Sequence, residues 1–260
     1  MKDDRESKEP IIRAFGRAFS DQQSADLFAM IWWEGEALSD CIWKLNGQLP
    51  DLRKEELAKL NDYFPEEGPL RRLRWQLESH RLNYSFPLFL NYSFVTLIFA
   101  LTESFLIRTC ELVHATTGSP IKVRQLAGAK LDRCFEYLRH FGHLDTDTLE
   151  LYEPIKALSA IRNCIVHAAG FVRESKDDRQ LREIIANRRY LSTTQSIRHD
   201  ELDEQEGKQR TPDITIIEDN NAERLFIRES YAHSAGGYFR RVLIDIFEQT
   251  GLAANPTDAP

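Results

Sequence analysis

The sequence predicts a mainly α-helical protein with a small β-hairpin inserted before its last helix. Apolar residues recur at three- and four-residue spacing from residue 24 to 170, and again from 229 to 251, as on the buried face of a helix. Between these regions stand two β-rich runs, DITII and RLFI, separated by EDNNAE. This is the pattern of two strands joined by a longer loop.

The composition excludes several classes of protein. With 260 residues, 42% of them hydrophobic, the chain can bury a substantial core and is not disordered. The formal charge of -7 opposes broad, charge-driven adhesion to nucleic acid or anionic lipid, but it leaves room for a small basic site. The charged start, MKDDRESKEP, is not followed by an apolar stretch, so no signal peptide is expected.

The four cysteines, Cys41, Cys110, Cys134 and Cys164, are far apart and lie among apolar residues. No pair has a metal-ligand spacing, and the sequence contains no Gly-rich phosphate loop. We therefore expect buried, reduced thiols in a cytoplasmic protein that needs no metal ion or cofactor.

Residues 1–84 are predicted to form an N-terminal helical extension that packs on the core. Residues 24–47 have helical apolar spacing and end at Gly47, a typical helix C-cap. A short surface helix follows at 51–64 and ends in a Pro/Gly-rich break. Residues 69–86 carry four arginines, either as a solvated helix face or as a basic strip.

A long apolar helix is predicted from near Ser85 to about Thr116, where Gly118 stops it. Residues 86–107 are long enough to span a bilayer. The carboxylate of Glu103 would be costly at that depth in lipid. We therefore expect the central helix of a globular bundle, and no membrane partner.

Two more core helices are expected next. Residues 121–142 form an amphipathic helix that ends at Gly142. Residues 145–170 form a helix that starts with good capping residues and is interrupted or bent by Pro154.

The C-terminal part begins with an insertion at residues 198–225, formed by a highly charged, exposed loop at 198–210 and the hairpin. The last helix, 229–251, has the glycine pair at 236 as a weak point. Residues 251–260 are expected to be a flexible tail.

The most informative stretch is ALSAIRNCIVHAAGF, residues 157–171, in which an apolar helix holds Arg162, Asn163 and His167. On an ideal helix Asn163 and His167 share a face, one turn apart, and the long Arg162 side chain reaches toward them. Burying such groups is costly unless they are paired. Either other residues satisfy them, or they line an accessible groove.

The segment RNCIVH resembles the signature of the HEPN superfamily, an Arg followed after four to six residues by a His, with a polar residue directly after the Arg. It also follows a long helix with an internal acid. The resemblance covers roughly residues 85–250 and is sharpest at 155–172. It implies a HEPN-like antiparallel helical bundle over 85–250.

The resemblance further implies a metal-independent endoribonuclease, of a kind often found as a toxin or phage-defence effector, in which a homodimer brings two motifs into one cleft. Arg162 would bind the scissile phosphate, His167 would transfer a proton, and Asn163 would orient the His or the phosphate. Attack by the RNA 2′-hydroxyl would leave a 2′,3′-cyclic phosphate. The implied partners are RNA, a second copy of the chain, and an antitoxin or other defence-system protein.

Three further residues belong to the candidate site. Glu103 is expected to pair with the Arg or His of the motif and so hold the arginine in place. The alternatives for Glu103 are a local pair with Arg108 or an exposed position. Lys130 and Arg133 are candidate nucleic-acid contacts, although such bases are more often solvated surface.

Two other functions are compatible with the same residues: a catalytically inactive HEPN module that binds a nucleotide, RNA or a protein partner, and a helical interaction or scaffold protein. Arg162 would then pair with an acid on a neighbouring helix. His167, as a cation, would stabilise the C-terminal end of the helix through its dipole. Cys164 lies three residues before His167, but a buried thiol on an apolar helix is usually inert.

Overall fold

The structure, a computed structural model, describes residues 17–206, 211–219 and 222–254. Helices carry most of them, which confirms the mainly α-helical class. The α-helices are α1 (Gln22–Tyr63), α2 (Pro69–His80), α3 (Phe86–Thr117), α4 (Lys130–Phe141), α5 (Tyr152–Ala168), α6 (Asp178–Ala186), α7 (Thr193–Glu206) and α8 (Glu229–Gln249). A π-helix, Arg81–Ser85, joins α2 to α3, and 3-10 turns occupy Val123–Gln125 and Val172–Glu174.

Within the described residues, four short strands form two antiparallel pairs: β1 (Ala18–Phe19) with β4 (Ala253–Ala254), and β2 (Ile214–Asp219) with β3 (Ala222–Ile227). The second pair is the hairpin expected before the last helix; its turn, residues 220 and 221, lies outside the described residues. The first pair joins the end of the described chain to its start. Because Leu252 and Ala253 are buried, the expected flexible tail is wrong for residues 251–254, and 255–260 lie outside the described residues.

The long apolar helix, α3, runs through the core and packs against α1, α4, α5 and α8. Gly118 ends it in the left-handed conformation, with φ 63°, as expected. Among the described residues, the helical run Pro69–Thr117 is the one long and apolar enough to cross a membrane by length and composition. Since Ile98 and Leu106 are fully buried within the bundle, the run is compatible with the core helix of a soluble protein.

Helix α1 continues through Gly47 and Pro50, so the expected end at Gly47 and the separate helix at 51–64 are wrong. Pro50 removes the backbone N–H that would have bonded the carbonyl of Asn46. The helix continues because its first half buries apolar side chains, among them Phe28, against α3 and α8. Tertiary packing offsets the low helix propensity of Gly and Pro.

Two helices start later than expected. Residues 121–129 form a 3-10 turn and a loop, and α4 begins at Lys130. Residues 145–151 form turns, and α5 begins at Tyr152. Pro154 therefore lies in the first turn of α5, where its missing N–H costs no helical hydrogen bond. It opens the helix instead of bending it.

Three smaller expectations also need correction. The segment 198–210 is helical as far as Glu206, because Glu and Gln are good helix formers; its last four residues lie outside the described ones. Helix α8 passes unbroken through the glycine pair at 236, where a Cβ on Gly236 would meet Ile42 of α1 at 3.4 Å. Cys41 is exposed, whereas the other three cysteines are buried as expected.

Candidate functional site

Helix α5 positions the Arg–Asn–His motif by packing antiparallel to the central helix α3. Arg162 lies over Phe99, whereas Gly170, just beyond the end of α5, lies against Tyr92. Residue numbers therefore rise along one helix as they fall along the other. The inward face of α5 is apolar, with Ile161 fully buried, whereas His167 lies on its exposed side.

The outward side of α5 forms a partly exposed stripe. Arg162 and Asn163 are half-buried, and Val166 and His167 are exposed. Half-burial holds the first pair in place, while exposure leaves the imidazole accessible. The motif thus lines an open surface and is not sealed in the core.

The Arg162 guanidinium is fixed by its neighbours without being neutralised. Its Nη1 donates a hydrogen bond to Oδ1 of Asn163 at 3.0 Å, and its Cζ lies 5.3 Å from the centre of the Phe99 ring. Its Nε is buried without a hydrogen bond. Within the described part of the chain, no carboxylate pairs with this arginine. A desolvated guanidinium with unused donors suits an anionic ligand.

His167 lies in the last turn of α5, and its ring makes no hydrogen bond to any described residue. The chain then leaves the helix through Ala169 and Gly170, with φ 50° and 83°. The backbone N–H of Gly170 donates to the carbonyl of Cys164 at 3.1 Å, which closes the helix end. The imidazole therefore sits at a well-defined helix end, and no residue of the described part of the chain occupies either ring nitrogen.

Glu103 does not pair with the motif, contrary to expectation. Its carboxylate accepts from Lys130 Nζ at 3.3 Å, because α4 begins beside the middle of α3. The alternative partner, Arg108, instead lies over the Phe105 ring at 5.4 Å. Glu103 lies one helical turn after Phe99, the residue that Arg162 covers. It makes no hydrogen bond to Arg162, Asn163 or His167.

The two candidate nucleic-acid contacts on α4 differ in their environment. Lys130 is partly neutralised by Glu103. Arg133 is half-buried, and its Nε is buried without a hydrogen bond. Neither residue contacts the motif helix through a recorded hydrogen bond, so both lie at the margin of the site.

The structure adds one cation that sequence reasoning missed. Arg224 of β3 lies over the rings of Phe171, at 5.0 Å, and Phe89, at 5.7 Å. Its Nη2 donates to the carbonyl of Ala169 at 3.4 Å, two residues after His167. No local signal could have found it, because a β-bridge between Phe171 and Arg224 brings together segments more than 50 residues apart.

Three cations now follow one another along α3: Arg224 at Phe89, Arg162 at Phe99, and Lys130 at Glu103. We call them the cation row. The fourteen residues from Phe89 to Glu103 correspond to about 21 Å of helix, so the row is long enough for more than one phosphate group. Along α5, His167 lies between Arg162 and Ala169, whose carbonyl accepts the hydrogen bond from Arg224.

Cysteine nucleophiles and metal-ligand groups were the two other kinds of site that the sequence raised. Burial raises the pKa of the Cys164 thiol to about 11, which suppresses the thiolate that nucleophilic catalysis needs. Among the described residues, no group of three His, Cys, Asp or Glu side chains is arranged to hold a metal ion.

No protein-family model, curated protein or solved structure matches the chain.

Proposed function

We propose that the protein is a metal-independent endoribonuclease of HEPN type that acts as a homodimer. The observation that carries the proposal is the Arg162 guanidinium, which is bonded to Asn163 but has no acid partner among the described residues. It shares an exposed helix stripe with His167. An unneutralised arginine beside a free imidazole is the combination that phosphate-ester cleavage requires.

The reaction needs only proton transfer and charge stabilisation, since RNA carries its own nucleophile. The 2′-oxygen attacks phosphorus, the bond to the 5′-oxygen breaks, and the products are a 2′,3′-cyclic phosphate and a 5′-hydroxyl. Arg162 binds the non-bridging oxygens and stabilises their growing charge, while Asn163 holds the guanidinium. His167 accepts the proton of the 2′-hydroxyl or donates one to the 5′-oxygen.

A homodimer supplies what one chain lacks. The reaction uses one proton acceptor and one proton donor, and each chain offers one motif imidazole. The two packed helices α3 and α5 also expose apolar side chains: the exposed fractions are 48% for Leu97 and 45% for Val166. Two copies that bury these side chains bring both motifs into one cleft.

The biological setting belongs to the same proposal. We place the enzyme in the cytoplasm, where RNA is its substrate, as a toxin or phage-defence effector restrained by an antitoxin or another defence-system protein. A second candidate is an inactive HEPN-like module that binds RNA, a nucleotide or a protein. The neutralised Lys130 and the charge of -7 favour it, because both weaken contacts to phosphate.

The decisive experiment is cleavage of total RNA by the purified protein in excess EDTA. We expect cleavage with 2′,3′-cyclic phosphate ends, and a loss of about 100-fold or more in rate for His167→Ala. The matched control is His140→Ala, which removes another exposed histidine near the end of a helix and should leave the rate unchanged. Cleavage that persists in folded His167→Ala would refute the mechanism. Intact RNA whose binding weakens in Arg162→Ala would select the inactive module.

A further inference from the structure

A cavity of about 1090 Å³ lies beside the second half of α1. The start of α3, the end of β3 and the start of α8 form its other sides. This is at the upper end of the usual size of small-molecule sites. None of the motif residues lines it, so the cavity is separate from the candidate ribonuclease site.

The floor of the cavity holds two buried amides. Asn46 Nδ2 donates to the carbonyl of Ile42 at 3.1 Å and to Oδ1 of Asn91 at 3.4 Å. Asn91 Nδ2 donates in turn to the carbonyl of Ile227 at 3.1 Å. Asn46 is only 4% exposed, yet its Oδ1 accepts no hydrogen bond from a described residue.

Pro50 removes the usual helical donor to the backbone carbonyl of the same residue. It lies four positions after Asn46 inside α1, where an ordinary residue would donate its N–H to the Asn46 carbonyl. Both residues line the cavity. A side-chain acceptor on the cavity floor that lacks a partner favours a ligand with a hydrogen-bond donor, such as an amino group, at this end.

The rim of the cavity is positively charged, whereas its floor carries neutral amides. Arg53 and Arg228 line it and make no side-chain hydrogen bond or ion pair with any described residue. Lys54 also lines it but pairs with Asp51, and Glu229 is the acid at the rim. Two unpaired guanidiniums in a chain of charge -7 form a local site for an anion.

An aromatic wall connects floor and rim. Trp43 is 67% exposed, an unusual position for an indole, and its ring lies 6.3 Å from that of His233. Phe226 and apolar side chains of α1 complete the lining. Such a wall packs against a planar ring.

We propose that this cavity binds a small organic phosphate whose planar ring carries an amino group, the chemistry of an aminopurine or cytidine monophosphate. The amino group donates to Oδ1 of Asn46, the ring packs against Trp43, and the phosphate binds Arg53 and Arg228.

The test is calorimetric titration of the full chain with AMP, IMP and adenosine. IMP differs from AMP by a carbonyl in place of the amino group, so it should bind about tenfold more weakly, as expected for one lost hydrogen bond at a buried acceptor. Adenosine lacks the phosphate and should also bind more weakly. Because these changes are made on the ligand, they leave the fold intact.

The double variant Arg53→Gln/Arg228→Gln tests the rim. It should lower the affinity for AMP while leaving that for adenosine unchanged. The matched control, Arg72→Gln, alters an exposed arginine outside the cavity and should bind AMP like the wild type. Equal affinity for AMP and IMP, no effect of the double variant, or no binding of AMP, GMP or CMP at millimolar concentration would each overturn the proposal.

Discussion

Arg162 donates a hydrogen bond from Nη1 to Oδ1 of its chain neighbour Asn163 at 3.0 Å, while its guanidinium plane lies over Phe99 of the central helix. The arginine is thus held from two sides by uncharged groups, and its positive charge stays available. A structural arginine would instead be expected to pair with an acid.

The first prediction concerns the shape of this guanidinium. Arg162→Lys keeps the charge but loses the planar fork that binds two phosphate oxygens. We expect the single-turnover cleavage rate to fall by about 100-fold or more, while RNA affinity changes little. A lysine variant that cleaves at the wild-type rate would show that charge alone suffices and would contradict the bidentate role.

Arg224 should contribute a phosphate contact beside His167. In a His167→Ala background, which prevents cleavage, Arg224→Gln should lower RNA affinity. It should also reduce the slope of log affinity against log salt by about 0.7, the value for one contact to a single strand. Fluorescence anisotropy over a salt series measures this. Arg173→Gln is the matched control, because Arg173 contacts the same hairpin through Glu223 at 2.9 Å; an equal change in its slope would remove the assignment.

Gly170 should tolerate no side chain. A Cβ there would overlap the Tyr92 hydroxyl, and the backbone has φ 83°, so Gly170→Ala should lower the free energy of unfolding by about 2 kcal/mol or more. Gly47→Ala is the control: nothing lies within 4 Å of a Cβ at this helical position, and the change should stabilise by about 0.5–1 kcal/mol. Urea unfolding measures both, and a neutral Gly170→Ala would contradict the close packing of α5 on α3.

The hairpin that carries Arg224 should weaken in acid. A hydrogen bond from Arg182, together with one from Arg173, lowers the pKa of Glu223 to about 2. A lowered pKa means that ionised Glu223 stabilises the fold above its ordinary value near 4.3, and that this stabilisation is lost as pH falls toward 2. Glu223→Gln should therefore be less stable than wild type at neutral pH, with a difference that shrinks below about pH 4. A difference that stays constant with pH would show that the ion pairs do not stabilise the hairpin.

The exposed apolar side chains of Leu97 and Val166 should lie in the dimer interface. Leu97→Glu/Val166→Glu places two charges on it and should convert a dimer into an inactive monomer in sedimentation velocity. Leu70→Glu is the control, since Leu70 is similarly exposed, at 69%, on α2. If Leu70→Glu dissociates the protein and the double variant does not, the dimer forms through the surface of α2 instead.

Local signals in the sequence account for much of the fold. The helical spacing of apolar residues predicts the long central helix, and Gly118 ends it where expected because only glycine adopts the left-handed conformation at low cost. The β-branched runs predict the hairpin. The position of Asn163 and His167 on one face of a helix, one turn apart, also follows from sequence spacing, since neighbours on one helix are related by its geometry alone.

Packing between distant segments decided the rest. Gly47 looks like a helix end, yet α1 continues through it because burial against α3 and α8 outweighs a local preference of about 1 kcal/mol. The partner of Glu103 is Lys130 and not the motif, because α4 starts beside α3. Arg224 reaches the motif only through a strand that pairs with the end of α5. Residue types and their spacing show which side chains could perform chemistry. Which charges are neutralised by described residues depends on the packing of distant segments, because ion pairs require distances that local spacing does not contain.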